Sequence, residues 1–211
     1  MPNWCWNHLE VSGDEKQLHE FVEKSLSKYD DGKNRFTLNG THPMPEELNI
    51  TKGTQTQDEK KQAILNKAKY GYTDWYEWKY AEWGTKWDAC EAHIDHNDID
   101  YFAVTFDSAW APPIQWIDNI MKDFPDLSFT LEYEEPGMGF GGRLSAQYEV
   151  IWDDFTWDID QASECCEGEV ELDDDYEATC LICGEECETI MKNTAEIKPA
   201  KTKIIKIKPN E

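Results

Sequence analysis

Apolar and polar side chains alternate from Asn3 to Val11, which predicts a β-strand with Trp4 on one face and Cys5 on the other. The alternation shows one irregularity along the strand. Ser12-Gly13-Asp14 ends it, and Asp14 is a typical residue to cap a helix. Apolar residues then recur at helical spacing to about Lys28, so the chain opens with a strand followed by an amphipathic helix.

The rest of the pattern predicts a helix-containing insertion and a second set of sheet elements. Residues 36–38 have the composition of a short strand, and residues 58–82 are helical in pattern with a break at Gly71. We interpret residues 58–82 as an insertion lying against the main sheet. A hairpin, a proline-initiated helix and two further strands follow, at residues 87–94, 101–106, 114–124, 127–134 and 143–152.

The order of the main elements is β-α-β-β-α-β, with the return strand at 143–152 added after it. This order predicts an α+β fold, a ferredoxin-like sandwich in which two helices cover one face of an antiparallel sheet. The segment from Trp83 to Pro113 contains the central hairpin and joins it to the second helix.

Five motifs carry a resemblance to a known family: Met1–Asn7, Pro43–Leu48, Trp83–Asp88, Ser108–Pro113 and Tyr133–Gly142. In this order they resemble the YubB ferredoxin-like family of phages and plasmids over about residues 1–152. The resemblance implies a ferredoxin-like fold and a mobile-element origin, but no activity. We therefore predict a ferredoxin-like domain at 1–152, an acidic Cys-rich segment at 153–191 and a Lys-rich tail at 192–211.

Charge is distributed unevenly along the 211 residues, whose formal net charge is −24. Residues 144–191 hold sixteen acids and no Lys or Arg, whereas the tail from Lys192 holds six lysines and two acids. Such a field repels phosphates and favours basic partners or cations, although acidity can also serve solubility alone. We find no apolar run long enough to span a bilayer and no signal peptide at the start, which predicts a soluble intracellular protein. The resemblance to a phage and plasmid family implies that this location is the cytoplasm of a bacterial host cell.

Seven cysteines without an export signal argue against a disulfide scaffold, and five of them cluster late in the chain. Cys180 and Cys183 have zinc-knuckle spacing, and the following glycine permits a tight turn. The other two predicted ligands are Cys187 and one of the adjacent residues Cys165 and Cys166. Binding by both Cys165 and Cys166 is the alternative. We predict a structural zinc ion in a small zinc-knuckle-like appendage; unbound thiols or a redox pair are the alternatives.

Other groups carry weaker signals. His93 and His96 read as surface histidines, and the glycine-rich stretch 135–142 joins two strands and reads as a structural turn. Paired carboxylates for acid-base chemistry or a divalent cation are an alternative near the hairpin, from Asp88, Asp107 and Glu132 or Glu134. We assign no catalytic residue.

Six tryptophans between residues 75 and 116 are too many for a core of this size to bury fully. We expect some to form an exposed patch, and we predict partner binding by Trp83, Trp87 and Trp110 together with the acidic run Asp173, Asp174 and Asp175.

These features predict a non-enzymatic interaction protein that binds and modulates a host protein through acidic and aromatic surfaces. A counter-defence inhibitor that mimics nucleic acid is one form of this function. The alternatives are a single-stranded nucleic-acid-binding module, which the negative charge disfavours, and a metal-dependent enzyme acting on nucleotides or nucleic acid.

Overall fold

The structure is a computed structural model that describes residues 2–28, 32, 34–50, 53, 56–147, 150–163, 170–172, 178–180, 182–183, 189–193 and 198–199. Beyond residue 147, side chains are described only at 151, 182 and 183. The helices are α1 (Glu15–Ser25), α2 (Leu38–Thr41), α3 (Gln57–Tyr70), α4 (Trp75–Glu82) and α5 (Ile114–Asp123), with a 3-10 turn at Glu46–Leu48. The strands are β1 (Trp4–Gly13), β2 (Leu26–Lys28), β3 (Asn34–Phe36), β4 (Cys90–Asn97), β5 (Tyr101–Ala109), β6 (Leu127–Glu135), β7 (Phe140–Gln147), β8 (Val150–Ser163), β9 (Val170–Leu172), β10 (Ala178–Cys180), β11 (Thr189–Asn193) and β12 (Lys198–Pro199).

The main sheet has the strand order β11-β8-β7-β6-β1-β5-β4, and β12 also pairs with β8. Four of these strands, β6-β1-β5-β4, are antiparallel neighbours, and with α1 and α5 they give the β-α-β-β-α-β order. The ferredoxin-like arrangement and the antiparallel sheet predicted from the sequence are therefore confirmed. β7 and β8 extend the sheet beyond β6.

Strand β1 is central because it pairs with β5 on one side and β6 on the other. Its inner face buries Cys5, Asn7, Leu9 and Val11, so the alternation has no irregularity. Asn7 is accommodated there because its Nδ2 donates to Phe106 O at 3.2 Å. Because Asn7 is polar, the sequence pattern did not show that the strand alternates strictly.

The core lies between this inner face and helices α1 and α5. Phe21 of α1 sits at its centre, with edge-on contacts to Phe102, Phe124 and Phe129 at ring-centroid distances of 5.5–6.0 Å. Burying one such side chain contributes about 1.5–3 kcal/mol. Both helices pack on the same side of the sheet, because Trp116, Ile117 and the other buried residues of α5 join the same cluster.

Helix α1 begins where predicted, because the Asp14 carboxylate accepts from Gln17 N at 3.0 Å. It ends at Ser25 rather than near Lys28. Leu26–Lys28 instead pairs with Asn34–Phe36, a partner that helical periodicity does not reveal. The predicted strand at 36–38 is correspondingly displaced, since Leu38 already begins α2.

Helix α2 belongs to a segment, residues 37–42, that is held by indole groups. Trp116 Nε1 donates to Leu38 O at 3.1 Å, and Trp83 Nε1 donates to His42 O at 3.0 Å. Gly40 lets α2 approach α1 closely, because a Cβ at this position would lie 1.8 Å from Lys24 O.

The predicted helical stretch contains α3 and α4, separated at Gly71, whose φ of +81° ends α3. Thr56 and Glu59 form a capping box at the start of α3, and Asp74 caps α4. That these helices are an insertion stays a prediction.

Strand β8 runs from Val150 to Ser163 and crosses the predicted domain boundary at residue 152. The zinc-knuckle-like appendage stays a prediction, since most of residues 164–188 lie outside the described part of the chain. Among the described helices, none is both long and apolar enough to cross a membrane.

Candidate functional site

The candidate site lies on the open face of the sheet, the face opposite α1 and α5. In β1 the residues that alternate with the buried ones point to this face, and they include Trp4 and Trp6. Their side chains are 39% and 40% exposed. Large aromatic side chains on an uncovered sheet face are the feature that separates this surface from an ordinary solvated one.

Two further tryptophans complete what we call the tryptophan surface, defined as Trp4, Trp6, Trp87 and Trp110. The rings of Trp4 and Trp87 have centroids 5.8 Å apart and are tilted by 51°. Trp110 is 38% exposed, and its backbone N donates to Asn3 O at 3.0 Å, next to Trp4. The four tryptophans come from three separate parts of the chain, and the Trp4–Trp87 ring contact and the Trp110 backbone hydrogen bond place Trp87 and Trp110 beside the start of β1.

Backbone strain accompanies this surface. Trp110 has φ of +73° and Glu91, in the irregular part of β4, has φ of +46°. A bulky residue in the left-handed region costs of order 1 kcal/mol or more and persists only where the surroundings impose it. At Trp110 the Asn3 hydrogen bond supplies that constraint.

Carboxylates surround the indole of Trp6. Asp107 on β5 and Glu134 on β6 are its directly opposite cross-strand neighbours. Burial, followed by the nearby charge of Glu91, raises the pKa of Asp107 above its usual value. The surface therefore combines exposed aromatic rings with negative charge.

One row further along the sheet, His8 lies in a hydrogen-bonded network. Thr105 Oγ1 donates its proton to Asp95 Oδ2 at 2.7 Å, so Thr105 Oγ1 is the acceptor of the 3.2 Å hydrogen bond from His8 Nδ1. The imidazole of His8 is nearly parallel to the Trp6 ring, with centroids 6.2 Å apart. The hydrogen bonds hold His8, whose ring lies beside that of Trp6.

The structure separates the tryptophans predicted to bind a partner. Trp87 and Trp110 belong to the tryptophan surface, but Trp83 is only 1% exposed and packs in the core. Its indole N–H donates to the backbone carbonyl of His42, so Trp83 stabilises the fold and is not available to a partner. Asp173, Asp174 and Asp175 lie outside the described residues.

The predicted zinc ligands are not placed together by the structure. Cys165, Cys166 and Cys187 lie outside the described residues, Cys180 is described only as the last residue of β10, and Cys183 is exposed. No group of three or more His, Cys, Asp or Glu side chains that could hold a metal ion occurs among the described residues. The zinc site therefore stays a prediction.

Asp88, one residue of the alternative carboxylate site, already has hydrogen-bond donors on both carboxylate oxygens. Three donors occupy the Asp88 carboxylate: Thr37 Oγ1 at 2.5 Å, Leu38 N at 2.6 Å and Ala89 N at 2.8 Å. Cys90 lies beside this group, and burial together with the charge of Asp88 raises the pKa of its thiol. Asp88 therefore has a structural role, and Cys90 is not an activated nucleophile.

The other weak signals have structural explanations as well. Glu135 is buried and its carboxylate accepts from Gly137 N at 3.1 Å and Met138 N at 2.6 Å, which fixes the turn between β6 and β7. His93 is largely exposed, with Nε2 3.9 Å from Asp95 Oδ1. The glycine-rich stretch is thus the structural turn that the sequence predicted.

Sequence reasoning did not select Trp4 and Trp6 as binding residues, although it placed them on one face of β1. The i, i+2 spacing of the two indoles was the available signal. The spacing indicates a binding surface only once the structure shows that no helix covers this face of β1.

A family model supports the fold. Residues 82–179 match the family model described as a ferredoxin-like domain in Api92-like protein. The crystal structure of protein api92 from Yersinia pseudotuberculosis is similar with a TM-score of 0.48 and 10% sequence identity, over 73% of this chain and 97% of that chain. No curated protein matches the chain. The family match confirms a ferredoxin-like domain, and it names Api92-like protein where the sequence motifs pointed to the YubB family.

Proposed function

We propose that this chain, with its ferredoxin-like domain, is a non-enzymatic protein-binding module whose tryptophan surface binds a basic segment of a partner protein. The observation that carries the proposal is the exposure of Trp4 and Trp6 on the open sheet face and of Trp110 beside the start of β1, each 38–40% exposed. Tryptophan is enriched among residues that dominate binding energy, because one side chain buries a large rigid area.

Charge determines the kind of partner that we propose. The chain carries a formal net charge of −24, and Asp107 and Glu134 lie on the same face as Trp6. A basic segment complements this field, which also accelerates encounter with a positively charged partner.

A broader proposal concerns the biological setting. The YubB-like motifs support a mobile-element origin and a bacterial cytoplasmic location, in which the partner is a host protein. The sixteen acids of residues 144–191 support mimicry of nucleic acid towards a host factor, as in counter-defence.

A structural zinc ion at Cys180, Cys183, Cys187 and Cys165 or Cys166 would stabilise the acidic segment. Metal analysis of the purified chain and of Cys180→Ser tests the zinc proposal, which fails if zinc content and thermal stability are unchanged.

A second candidate function is binding of single-stranded nucleic acid. Exposed indoles are stacking platforms for bases, and Lys86 lies over the Trp87 ring at 5.0 Å. The carboxylates beside Trp6 oppose phosphate binding, so we rank this function below the first. The metal-dependent enzyme ranks third, because the donors around Asp88 already occupy its oxygens.

Fluorescence anisotropy with defined probes tests the first proposal. The probes are a labelled twelve-residue peptide that alternates basic and apolar residues, the same peptide with Glu in place of the basic residues, and a labelled dT12 oligonucleotide. We expect the basic peptide to bind and the other two not to bind at moderate salt.

Matched variants locate the contact. Trp6→Ala and Trp110→Ala should each weaken binding of the basic peptide at least tenfold. Ile99→Ala removes another exposed apolar side chain, in the turn between β4 and β5, and should leave binding unchanged. Equal losses in all three variants, or tighter binding of dT12 than of the basic peptide, would overturn the proposal.

A further inference from the structure

The row of the sheet that contains Trp6 has an imbalance of charge. Asp107 and Glu134 stand directly opposite Trp6 on the two neighbouring strands. Within the described part of the chain, no Lys or Arg nitrogen lies within 4 Å of either carboxylate. Trp6 is therefore flanked on both sides by carboxylates that have no cation partner among the described residues.

The next rows of the same face differ in this respect. Glu132, opposite His8, lies 3.5 Å from the guanidinium Nε of Arg143. Glu10 accepts a hydrogen bond from the Tyr101 hydroxyl at 2.6 Å. Glu132 and Glu10 thus each have a donor from the sheet itself, which Asp107 and Glu134 do not have among the described residues.

Asp107 is also partly removed from water. Burial is the main cause of its raised pKa, and the nearby charge of Glu91 adds to it. A half-buried carboxylate without a cation gains most from a partner that brings a positive charge into the same low-dielectric environment.

The chemistry of the row selects among cations. An exposed indole attracts a planar guanidinium through stacking and cation–π interaction, while the fork of N–H groups fits a carboxylate. An ammonium group is more strongly hydrated and cannot form both contacts in one plane. A metal ion would need three or more ligands, and no such group occurs in the described residues.

The distances of a β-sheet permit both contacts at once. Directly opposite residues have Cβ atoms about 4.5–5.5 Å apart, so a group stacked on Trp6 lies within reach of either neighbouring carboxylate. We infer that Trp6, Asp107 and Glu134 form an arginine-binding position within the tryptophan surface, which selects arginine over lysine in the partner segment. This inference rests on the proposed function.

Three peptides that differ at one central position test it: arginine, lysine and citrulline, the uncharged isostere of arginine. With the full chain we expect the arginine peptide to bind at least tenfold more tightly than the other two, a difference of about 1.4 kcal/mol. Asp107→Asn and Glu134→Gln should reduce binding of the arginine peptide to the level of the lysine peptide. Trp6→Phe, which keeps an aromatic ring, should lose less than Trp6→Ala.

Glu132→Gln is the matched control, because it removes a carboxylate of the same face that already has Arg143 as a partner. It should change the arginine preference less than twofold, and circular dichroism should show all variants folded. Equal binding of the arginine and lysine peptides, with Asp107→Asn weakening both alike, would overturn the inference and leave the proposed function standing. Failure of all three peptides to bind would overturn both.

Discussion

Replacing Asp88 by alanine should destabilise the fold. The Asp88 carboxylate accepts from Thr37 Oγ1, Leu38 N and Ala89 N, and thereby holds the start of α2 against the strand region that follows Trp87. Thr37 and Leu38 are 4% and 0% exposed, so water cannot replace the lost acceptor.

The magnitude follows from these contacts. A hydrogen bond to a charged group contributes about 1.5–3 kcal/mol, and a buried donor left without an acceptor costs about 1–3 kcal/mol. These terms describe the same loss and are not additive, so we expect Asp88→Ala to lower the free energy of unfolding by about 2–4 kcal/mol. For a chain of this size that corresponds to a fall in Tm of about 5–15 °C.

Asp88→Asn should cost less, about 1 kcal/mol, because both backbone N–H groups donate to the same oxygen, Oδ1, which asparagine retains. Urea denaturation followed by tryptophan fluorescence measures both variants. Asp100→Ala, which removes an exposed acid from the turn after β4, controls for the change in net charge. If Asp88→Ala loses less than about 0.5 kcal/mol relative to this control, the structural role of Asp88 is refuted.

Three further predictions concern titration and close packing. The hydrogen bond to Glu82, followed by burial, raises the pKa of Tyr72 to about 12 from a usual 10.0, so its contribution to stability is complete below pH 10 and is lost as the pH rises through 12. Tyr72→Phe should flatten the fall of stability across this range, and an unchanged slope would contradict the assignment. Burial raises the pKa of the Cys5 thiol to about 12, so mass spectrometry after treatment with a thiol reagent at pH 8 should find Cys5 unlabelled in the native chain and labelled in guanidinium. Gly40→Ala should cost about 3 kcal/mol in urea denaturation because of the clash with α1, whereas Gly53→Ala, with open space around it, should cost almost nothing; equal costs would refute the close approach.

The parts of the fold that the sequence predicted are those in which local pattern and final environment agree. Residues 127–133 alternate strictly, and the structure buries Leu127, Phe129, Leu131 and Tyr133 in β6. The parts that it did not predict depend on distant partners. The helical pattern of α1 continues past Ser25, but pairing with β3 ends the helix there.

The candidate surface was only half predictable for a related reason. Composition indicates that some tryptophans must be exposed, but it does not indicate which ones. Trp83 finds His42 O and is buried, whereas Trp110 is held at the surface through its own backbone. Asn7, a polar residue on the inner face, hid the regularity that would have drawn attention to Trp4 and Trp6.

The central place of β1 has a consequence for synthesis on the ribosome. The partners of β1 begin at Tyr101 and Leu127, so nearly a hundred residues must emerge before its first neighbour exists. At about 5–20 residues per second this leaves β1 unpaired for about 5–20 s. Throughout that interval both faces of β1 are exposed to solvent, one carrying Trp4 and Trp6 and the other Leu9 and Val11. We therefore expect this strand to bind chaperones that act on nascent chains.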